Sequence, residues 1–196
     1  LYEAADLLGG HANTVEVEGV AVDTGFIVSN EVNYPNLTAL FAHLGVPTKH
    51  ADMSLAVSLD DGDLEYGSRS LASIFAQPEA LLRPRFWSML KDLSRFYRTA
   101  PGHLATLDPV ISLRDYLREH RYGAALQEDH LLPMAAAIWS ATIEGVADHP
   151  AAAFIQFFKN HDLMRFLGRR TWRTVEGGSR AYVEAVAKDF PGHIRL

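Results

Sequence analysis

The 196-residue chain is long enough to bury one large core or two smaller ones. Hydrophobic residues make up 48% of it and charged residues 21%, a balance that argues against a disordered chain. The net charge of −6 gives no support for nucleic-acid binding, and the lack of cysteine excludes disulfides, thiolate catalysis and cysteine-ligated metals. The first residues have no basic region before an apolar one, so we expect no signal peptide, and no run approaches about 20 apolar residues. We therefore expect a cytoplasmic protein without a membrane span.

The first residues are typical of the end of a parallel strand. Leu1 and Tyr2 are apolar, and Glu3 stands where such a strand would end. In dinucleotide-binding folds an acid at this point accepts hydrogen bonds from the adenosine ribose, about 20 residues after a Gly-rich phosphate turn. The chain begins too late to contain that turn, so we expect a fragment of a longer protein. Gly9 and Gly10 follow, and paired glycines let a backbone approach a ligand closely.

Three elements are predicted next. Residues 14–23 alternate polar and apolar side chains around a Glu-Gly pair, which predicts a β-hairpin. Residues 34–44 carry leucines and a phenylalanine at helical spacing, with Gly45 as a stop. A strand at 54–59 turns at an Asp-Asp-Gly-Asp sequence and returns through 64–66, a second hairpin.

From Ser70 to Leu163 helix formers dominate and strand alternation vanishes. One helix is expected to begin near Pro84 and to end at Pro101, with Phe86, Trp87, Leu90, Leu93, Phe96 and Tyr97 on one face. Another is expected to follow Ser112 as its N-cap, with Asp115 three residues on. Further elements are expected as helices at 124–131, 134–140, 151–163 and 179–188, and as strands near Trp172 and at 193–196.

This order of elements predicts a mixed α/β (α+β) fold in which a helical insertion interrupts one α/β domain. Residues 1–69 are assigned to a partial, Rossmann-like nucleotide-binding domain with hairpin segments. Residues 70–170 are assigned to a mostly helical substrate or cap domain, and 171–196 to the return of the chain to the nucleotide-binding domain.

The opening residues resemble the flavin-containing amine oxidase superfamily, and in particular a bacterial branch of amine-oxidase-like NAD/FAD-binding proteins. The family carries a glutamate, a paired glycine, a basic residue and a threonine just after its second strand. The matching positions here are Glu3, Gly9, Gly10, His11 and Thr14. The family usually has arginine where Leu7 and His11 stand, so the histidine keeps a donor and the leucine loses one. An ordinary strand-end acid before a glycine turn is the alternative interpretation.

Two later stretches extend the resemblance over most of the chain. The first, implied to run past the flavin ring, contains Asp23, Thr24, Gly25, Phe26 and Ile27. The second contains Gly177 and Gly178, which in the family mark the return to the flavin domain. The helix after Gly178 would offer free N–H groups to an anion. We expect a side chain at Gly25 or Gly178 to crowd the cofactor more than the fold. A capping aspartate and a helix cap at Ser179 are the alternatives.

Other clusters favour structural interpretations. Arginines at 165, 169, 170 and 173 could face a diphosphate or an acidic substrate, but a solvated face is the simpler interpretation. The nine histidines show no ligand spacing, so no metal is expected, and no serine-hydrolase elbow is present. The aromatic residues of the helical part are most simply its core, namely Phe86, Trp87, Phe96, Tyr97, Trp139, Phe154, Phe157, Phe158 and Phe166.

The resemblance implies that the domain formed by 1–69 and 171–196 is an FAD-binding domain. It also implies an FAD-dependent oxidoreductase in which the cofactor accepts hydride from a C–H or N–H substrate. The substrate would be a small molecule, either an amine or a lipid-like compound. No catalytic residue is assigned, because the family often supplies a lysine from its C-terminal half. The alternatives are a flavin-dependent desaturase or isomerase on a lipid-like substrate, and a non-catalytic domain that retains the fold.

Overall fold

The computed structural model describes residues 1–165 and 170–196. Two residues of the clusters named above, Phe166 and Arg169, lie outside the described residues. The chain divides into two compact units. Unit 1 comprises Leu1–Asp52 and Arg170–Leu196, and unit 2 comprises Met53–Arg169.

Unit 1 combines two small antiparallel sheets with two helices. Strands β1 (Thr14–Val17) and β2 (Val20–Asp23) form the first hairpin, as expected. Helix α1 (Pro35–Leu44) ends at Gly45, which adopts the left-handed conformation that glycine tolerates best. The remaining elements of unit 1 are β3 (Thr48–Ala51), β6 (Trp172–Val175) and α9 (Arg180–Asp189).

The pairing of β3 with β6 joins two distant parts of the chain. The strands are antiparallel, with Thr48 opposite Val175 and Ala51 opposite Trp172. Strand β3 was not predicted, because its Thr-Lys-His-Ala sequence lacks apolar alternation. The side chain of Arg173 supports the pair, since Nε donates to Thr48 Oγ1 at 2.8 Å and Nη2 donates to the Thr48 carbonyl at 2.7 Å.

The prediction of a final strand at 193–196 is wrong, because these residues do not form a regular β-strand. Only an isolated parallel bridge forms there, between Tyr2 and Arg195. The amide of Glu3 donates to the Arg195 carbonyl at 2.9 Å, and the amide of Arg195 donates to the Leu1 carbonyl at 3.0 Å. The bridge nevertheless runs in the parallel direction that a nucleotide-binding sheet requires.

Unit 2 contains one hairpin and a bundle of helices. The hairpin pairs β4 (Ala56–Leu59) with β5 (Leu64–Gly67), as expected. The helices are α2 (Leu71–Ile74), α3 (Pro84–His103), α4 (Leu113–Glu119), α5 (Ala124–Leu126), α6 (Leu132–Trp139), α7 (Ile143–Ala147) and α8 (Ala151–Asn160). A π-helical segment, Gln127–Leu131, joins α5 to α6. The predicted N-cap of α4 is present, because Ser112 Oγ accepts from the Asp115 amide at 3.0 Å.

Helix α3 differs from its prediction in two ways. It continues past Pro101 to His103, because a proline in the last turn removes one hydrogen bond without ending the helix. Its buried stripe includes Met89, which was missed, whereas Trp87 is 47% exposed and lies at the edge. The indole N–H of Trp87 instead donates to the Leu81 carbonyl at 2.8 Å.

Most of the described aromatic residues that the sequence assigns to the helical core lie in the core of unit 2, and Trp87 is the exception. Phe86, Phe96, Phe154 and Phe158 are fully buried, and the last two stack with centroids 4.1 Å apart. The hairpin of β4 and β5 packs into this unit through buried residues, Val57, Leu64 and Tyr66. It therefore belongs to unit 2, although the sequence placed it in the first segment. The assignment of segments to FAD-binding and substrate domains stays a prediction.

Candidate functional site

Glu3 lies at the end of the parallel bridge in unit 1. Its Oε1 accepts a hydrogen bond from the Ala5 amide at 3.0 Å, which turns the carboxylate along the following loop. Oε2 has no partner among the described residues and is available to accept further hydrogen bonds. A strand-end carboxylate with a free oxygen is the arrangement that binds ribose hydroxyls. The geometry thus fits the role expected of Glu3.

A buried hydrogen-bond cluster, the Asp23 clamp, joins β1, β2 and the start of α9. Asp23 Oδ1 accepts from Thr14 Oγ1 at 2.6 Å, from the Ser179 amide at 2.8 Å and from Ser179 Oγ at 2.9 Å. Thr14 Oγ1 in turn accepts from the Arg180 amide at 2.9 Å, and the Arg180 guanidinium donates to the Thr14 carbonyl. Thr14 is 5% exposed and Ser179 is fully buried. The clamp holds three predicted site segments in one place.

The clamp changes the interpretation of the α9 N-terminus. We expected its first N–H groups to be free for an anion, and this expectation is wrong. The amides of Ser179 and Arg180 are bound by the side chains of Asp23 and Thr14. The Asp23 carboxylate is itself the anion at the positive end of the helix. Ser179 makes no side-chain cap of its own, so the alternative of a Ser179 cap is wrong as well.

Three of the predicted glycines are required by the fold. A Cβ atom at Gly25 would overlap the carbonyl oxygen of His11, which accepts from the Phe26 amide at 3.0 Å. A Cβ at Gly178 would lie 2.5 Å from Thr14 Cγ2, and a Cβ at Gly9 would lie 2.5 Å from the Ala12 carbonyl. The expectation that side chains at 25 and 178 would crowd a cofactor more than the fold is therefore wrong.

Gly10 and Gly177 differ from these three. Both have positive φ, +54° and +79°, and a Cβ at either would meet no described atom within 4 Å. Their backbones border open space, which is where a ligand could approach the chain closely. Ile27 is 46% exposed, whereas Thr24 is tied to Asn13 by a backbone bond at 2.9 Å and a side-chain bond at 2.9 Å. The proximity of these residues to a cofactor stays a prediction.

A groove of about 210 Å³ lies next to the clamp in unit 1. The residues that line it come from the opening loop, from β1 and from α9, and they are mainly Leu7, Leu8, Ala12, Thr14, Arg180 and Val183. Leu7 stands where the family usually has arginine, and the acidic residues Asp6 and Glu184 also line the groove. Arg180 is the arginine that lines the groove. The sequence did not indicate its role, because its partner, Thr14, lies 166 positions away in the chain.

The described arginines of the predicted basic cluster have separate partners. Arg165 pairs with Asp162 in unit 2. In unit 1, Arg170 donates to Asn33 Oδ1 and Arg173 supports β3. None of these contacts leaves a convergent diphosphate site among the described residues. The simpler interpretation, a solvated face, fits Arg165 alone, because Arg170 and Arg173 are half-buried.

Unit 2 contains a buried polar cluster that the sequence did not indicate. Tyr66 Oη donates to the Asp129 carbonyl at 2.6 Å and lies 2.8 Å from His130 Nδ1. Tyr97 Oη lies 3.4 Å from His130 Nε2. The Arg85 guanidinium binds both carboxylate oxygens of Asp129 at 2.8 Å. Burial, and secondarily the Asp129 charge, raise the pKa of Tyr66 well above its usual value.

Comparison with known proteins identifies the family. The model of the flavin-containing amine oxidoreductase family matches residues 1–196. The chain belongs to this family. No curated protein matches the chain. Two solved structures similar to it are wild-type putrescine oxidase bound to putrescine and a double mutant from a redesign of cofactor binding in the same enzyme. Each has a TM-score of 0.69, 15% identity, and coverage of 100% of this chain and 44% of that chain.

The comparisons test the resemblance, the fold class and the cofactor. The mixed α/β fold and the resemblance are confirmed, and FAD is confirmed as the cofactor class, because the family is flavin-containing. The chain spans less than half of the length of the putrescine oxidase chains. Within the described residues no helix is long and apolar enough to cross a membrane. The same part of the chain contains no group of three histidine or acidic residues that could hold a metal.

Proposed function

We propose that this chain supplies the ribose-binding segment and part of the substrate-binding segment of an FAD-dependent amine oxidoreductase. The observation that carries the proposal is the Asp23 clamp. It brings together residues 11–14, 23–26 and 177–180, which are the three segments that resemble the family motifs. Family membership supports the flavin, and the clamp supports the placement of these segments around it.

FAD fits the residues present in unit 1. Glu3 has a free carboxylate oxygen for the ribose hydroxyls, and a Cβ at Gly10 or Gly177 would meet no described atom within 4 Å. The backbone of Gly10 would lie beside the diphosphate. Residues 24–27 would pass the ring system, since Asp23 fixes the start of this segment. Gly9, Gly25 and Gly178 contribute indirectly, because they allow the close backbone packing that holds these positions.

A flavin held at this site would supply the redox chemistry, as the acceptor of hydride from the carbon that carries the amine nitrogen. The residues of this chain bind and orient rather than react. Glu3 accepts hydrogen bonds, and the clamp keeps the cofactor-facing backbone rigid. The specificity for an amine is part of the proposal, supported by the family description and by the fold shared with putrescine oxidase.

Anaerobic reduction of the flavin tests the proposal. The full-length protein that carries this chain should be yellow when purified, with a flavin absorption spectrum. Addition of primary amines of graded length without oxygen should bleach that spectrum with at least one of them. Matched alcohols without nitrogen serve as controls and should leave it unchanged. A protein that lacks flavin, or a flavin that no amine reduces, would contradict the proposal.

A further inference from the structure

A second groove in unit 1 is bordered by helix α1, by strands β3 and β6, and by the segment just before α1. Its volume is about 300 Å³. The polar side chains that line it include Ser29, Glu31, Thr48 and Arg173. No described residue lines both this groove and the groove beside the Asp23 clamp. It therefore needs an explanation of its own.

A backbone pair brings Ser29 and Arg173 together. The Ser29 amide donates to the Arg173 carbonyl at 2.9 Å, and the Arg173 amide donates to the Ser29 carbonyl at 2.8 Å. Residues paired in this way across antiparallel segments project their side chains from the same face. The Arg173 side chain also reaches Thr48 on β3. One guanidinium and two hydroxyl groups thus border the groove.

The guanidinium of Arg173 has no counter-ion within the described part of the chain. Its two side-chain hydrogen bonds both go to Thr48, which is uncharged, and they use Nε and Nη2. Nη1 binds none of the described residues. Arg173 is half-buried, and charges withdrawn from water are normally paired. The unpaired guanidinium therefore points to an anionic group in the groove.

The two hydroxyl groups offer further donors to such an anion. Ser29 is only 8% exposed, and its Oγ forms no hydrogen bond with any described residue. Thr48 Oγ1 accepts from Arg173 Nε, so its own proton is left for another acceptor. Burial of an unpartnered hydroxyl is unfavourable, and a ligand oxygen would relieve it. A carboxylate has two acceptor oxygens for these donors and for Nη1 of Arg173.

Glu31 decides the overall charge of the ligand. It also lines the groove, is exposed, and forms no ion pair with Arg173 or with another described residue. Its carboxylate would repel a dianion such as phosphate and would attract an ammonium group. Because the groove presents one positive and one negative side chain, it favours a ligand that carries one charge of each sign.

The rest of the lining is mainly apolar. It includes Phe41 and Ala42 of α1, and Val46 of the turn that follows. Apolar walls of this kind with a few polar groups are typical of sites for small molecules. They suit a short aliphatic group on the ligand.

We propose that this groove binds a zwitterionic α-amino acid with a small aliphatic side chain. The carboxylate accepts hydrogen bonds from Arg173, Ser29 and Thr48, and the ammonium faces Glu31. The aliphatic side chain lies against Phe41 and Val46. The binding involves no flavin and no redox step, so the inference does not rest on the proposed function.

Equilibrium dialysis of the full-length protein with radiolabelled L-valine tests the inference, without oxygen so that no probe is consumed by turnover. Two matched probes each lack one charged group of valine: 3-methylbutanoate lacks the ammonium, and 2-methylpropylammonium lacks the carboxylate. L-Valine should bind saturably at millimolar concentration, and each matched probe should bind at least about tenfold more weakly. No saturable binding of L-valine, or equal binding of all three probes, would overturn the proposal.

Variants of α1 show whether the binding occurs in this groove. Ala42→Phe places a large side chain in the groove from an exposed helix position and should abolish L-valine binding. Ala39→Phe is the matched control, because Ala39 is also exposed on α1 but does not line the groove. Unchanged affinity in Ala42→Phe, or an equal loss in both variants, would refute the site.

Two further variants test the assigned contacts. Ser29→Ala removes one donor to the carboxylate and should weaken L-valine binding about fivefold. Glu31→Gln should weaken the binding of L-valine but not that of 3-methylbutanoate, which has no ammonium. An equal loss for both probes in Glu31→Gln would contradict the assigned orientation, and this result does not depend on the folding of Ser29→Ala.

Discussion

Removal of the Asp23 carboxylate should loosen the start of helix α9. In Asp23→Ala the two hydroxyls of Thr14 and Ser179, already 3.2 Å apart, can pair with each other. The Ser179 amide then stays buried without its acceptor. An unsatisfied buried donor costs about 1–3 kcal/mol, and the lost charge-assisted bond raises the total to about 2–4 kcal/mol. Asp23→Asn keeps Oδ1 as an acceptor and should cost only about 1 kcal/mol.

Hydrogen exchange of the full-length protein measures this effect locally. Peptides that cover the first turn of α9 should exchange about 30-fold to 1,000-fold faster in Asp23→Ala, which corresponds to a loss of about 2–4 kcal/mol. Peptides from α3 in unit 2 should be unchanged. Glu16→Gln is the matched control, since this exposed acid lies on β1 outside the clamp. Unchanged exchange in the α9 peptide of Asp23→Ala would refute the reasoning, as would equal effects of Ala and Asn.

Three further outcomes are expected. Gly25→Ala should destabilise unit 1 strongly, because its Cβ would overlap the His11 carbonyl oxygen. Gly177→Ala should cost only about 1–2 kcal/mol, because only the positive φ is unfavourable. Thermal melts followed by circular dichroism compare the two variants, and equal melting temperatures would contradict this expectation. Phe96→Ala should lower the free energy of unfolding in urea by about 3–5 kcal/mol, because Phe96 is fully buried. Trp87→Ala should lower it clearly less, because Trp87 is 47% exposed. A larger loss for Trp87→Ala would count against the assigned core. Burial, and secondarily the charge of His103, lower the pKa of His120 below its ordinary value of 6.5. The stability that the neutral imidazole contributes is therefore present above pH 6.5 and is lost as the pH falls through the folded pKa. His120→Gln should flatten this part of a profile of melting temperature against pH, and an identical profile would show that another group is responsible.

Helices and hairpins could be predicted where residues close together in the sequence determine them. The two hairpins, α1 with its Gly45 stop and the Ser112 cap of α4 all follow from neighbouring residues. The extent of α3 was misjudged, because a proline is tolerated in a last turn. Trp87 was placed in the core because it follows Phe86 at the border of the apolar face of α3. The sequence spacing does not show on which side of that border it lies, and the packing places it at the exposed edge.

The motif positions could be named from the sequence, but the contacts between them could not. The motif positions were found through the resemblance, yet the partner of Asp23 is an amide 156 positions away. No sequence pattern indicates such a distance, and so the capped α9 terminus and the role of Arg180 were missed. The same reason applies to β3, which is a strand only because β6 pairs with it.

The affinity of the full-length protein for FAD in Glu3 variants tests the central claim most directly. The account predicts that Glu3→Ala weakens FAD binding in isothermal titration by about 1.5–3 kcal/mol, or roughly 10-fold to 150-fold, because charge-assisted bonds to the ribose are lost. Glu3→Gln should lose less, since it keeps an acceptor oxygen. Equal FAD affinity in the wild-type protein and both variants would show that Glu3 is only a strand-end acid and would contradict the placement of the cofactor.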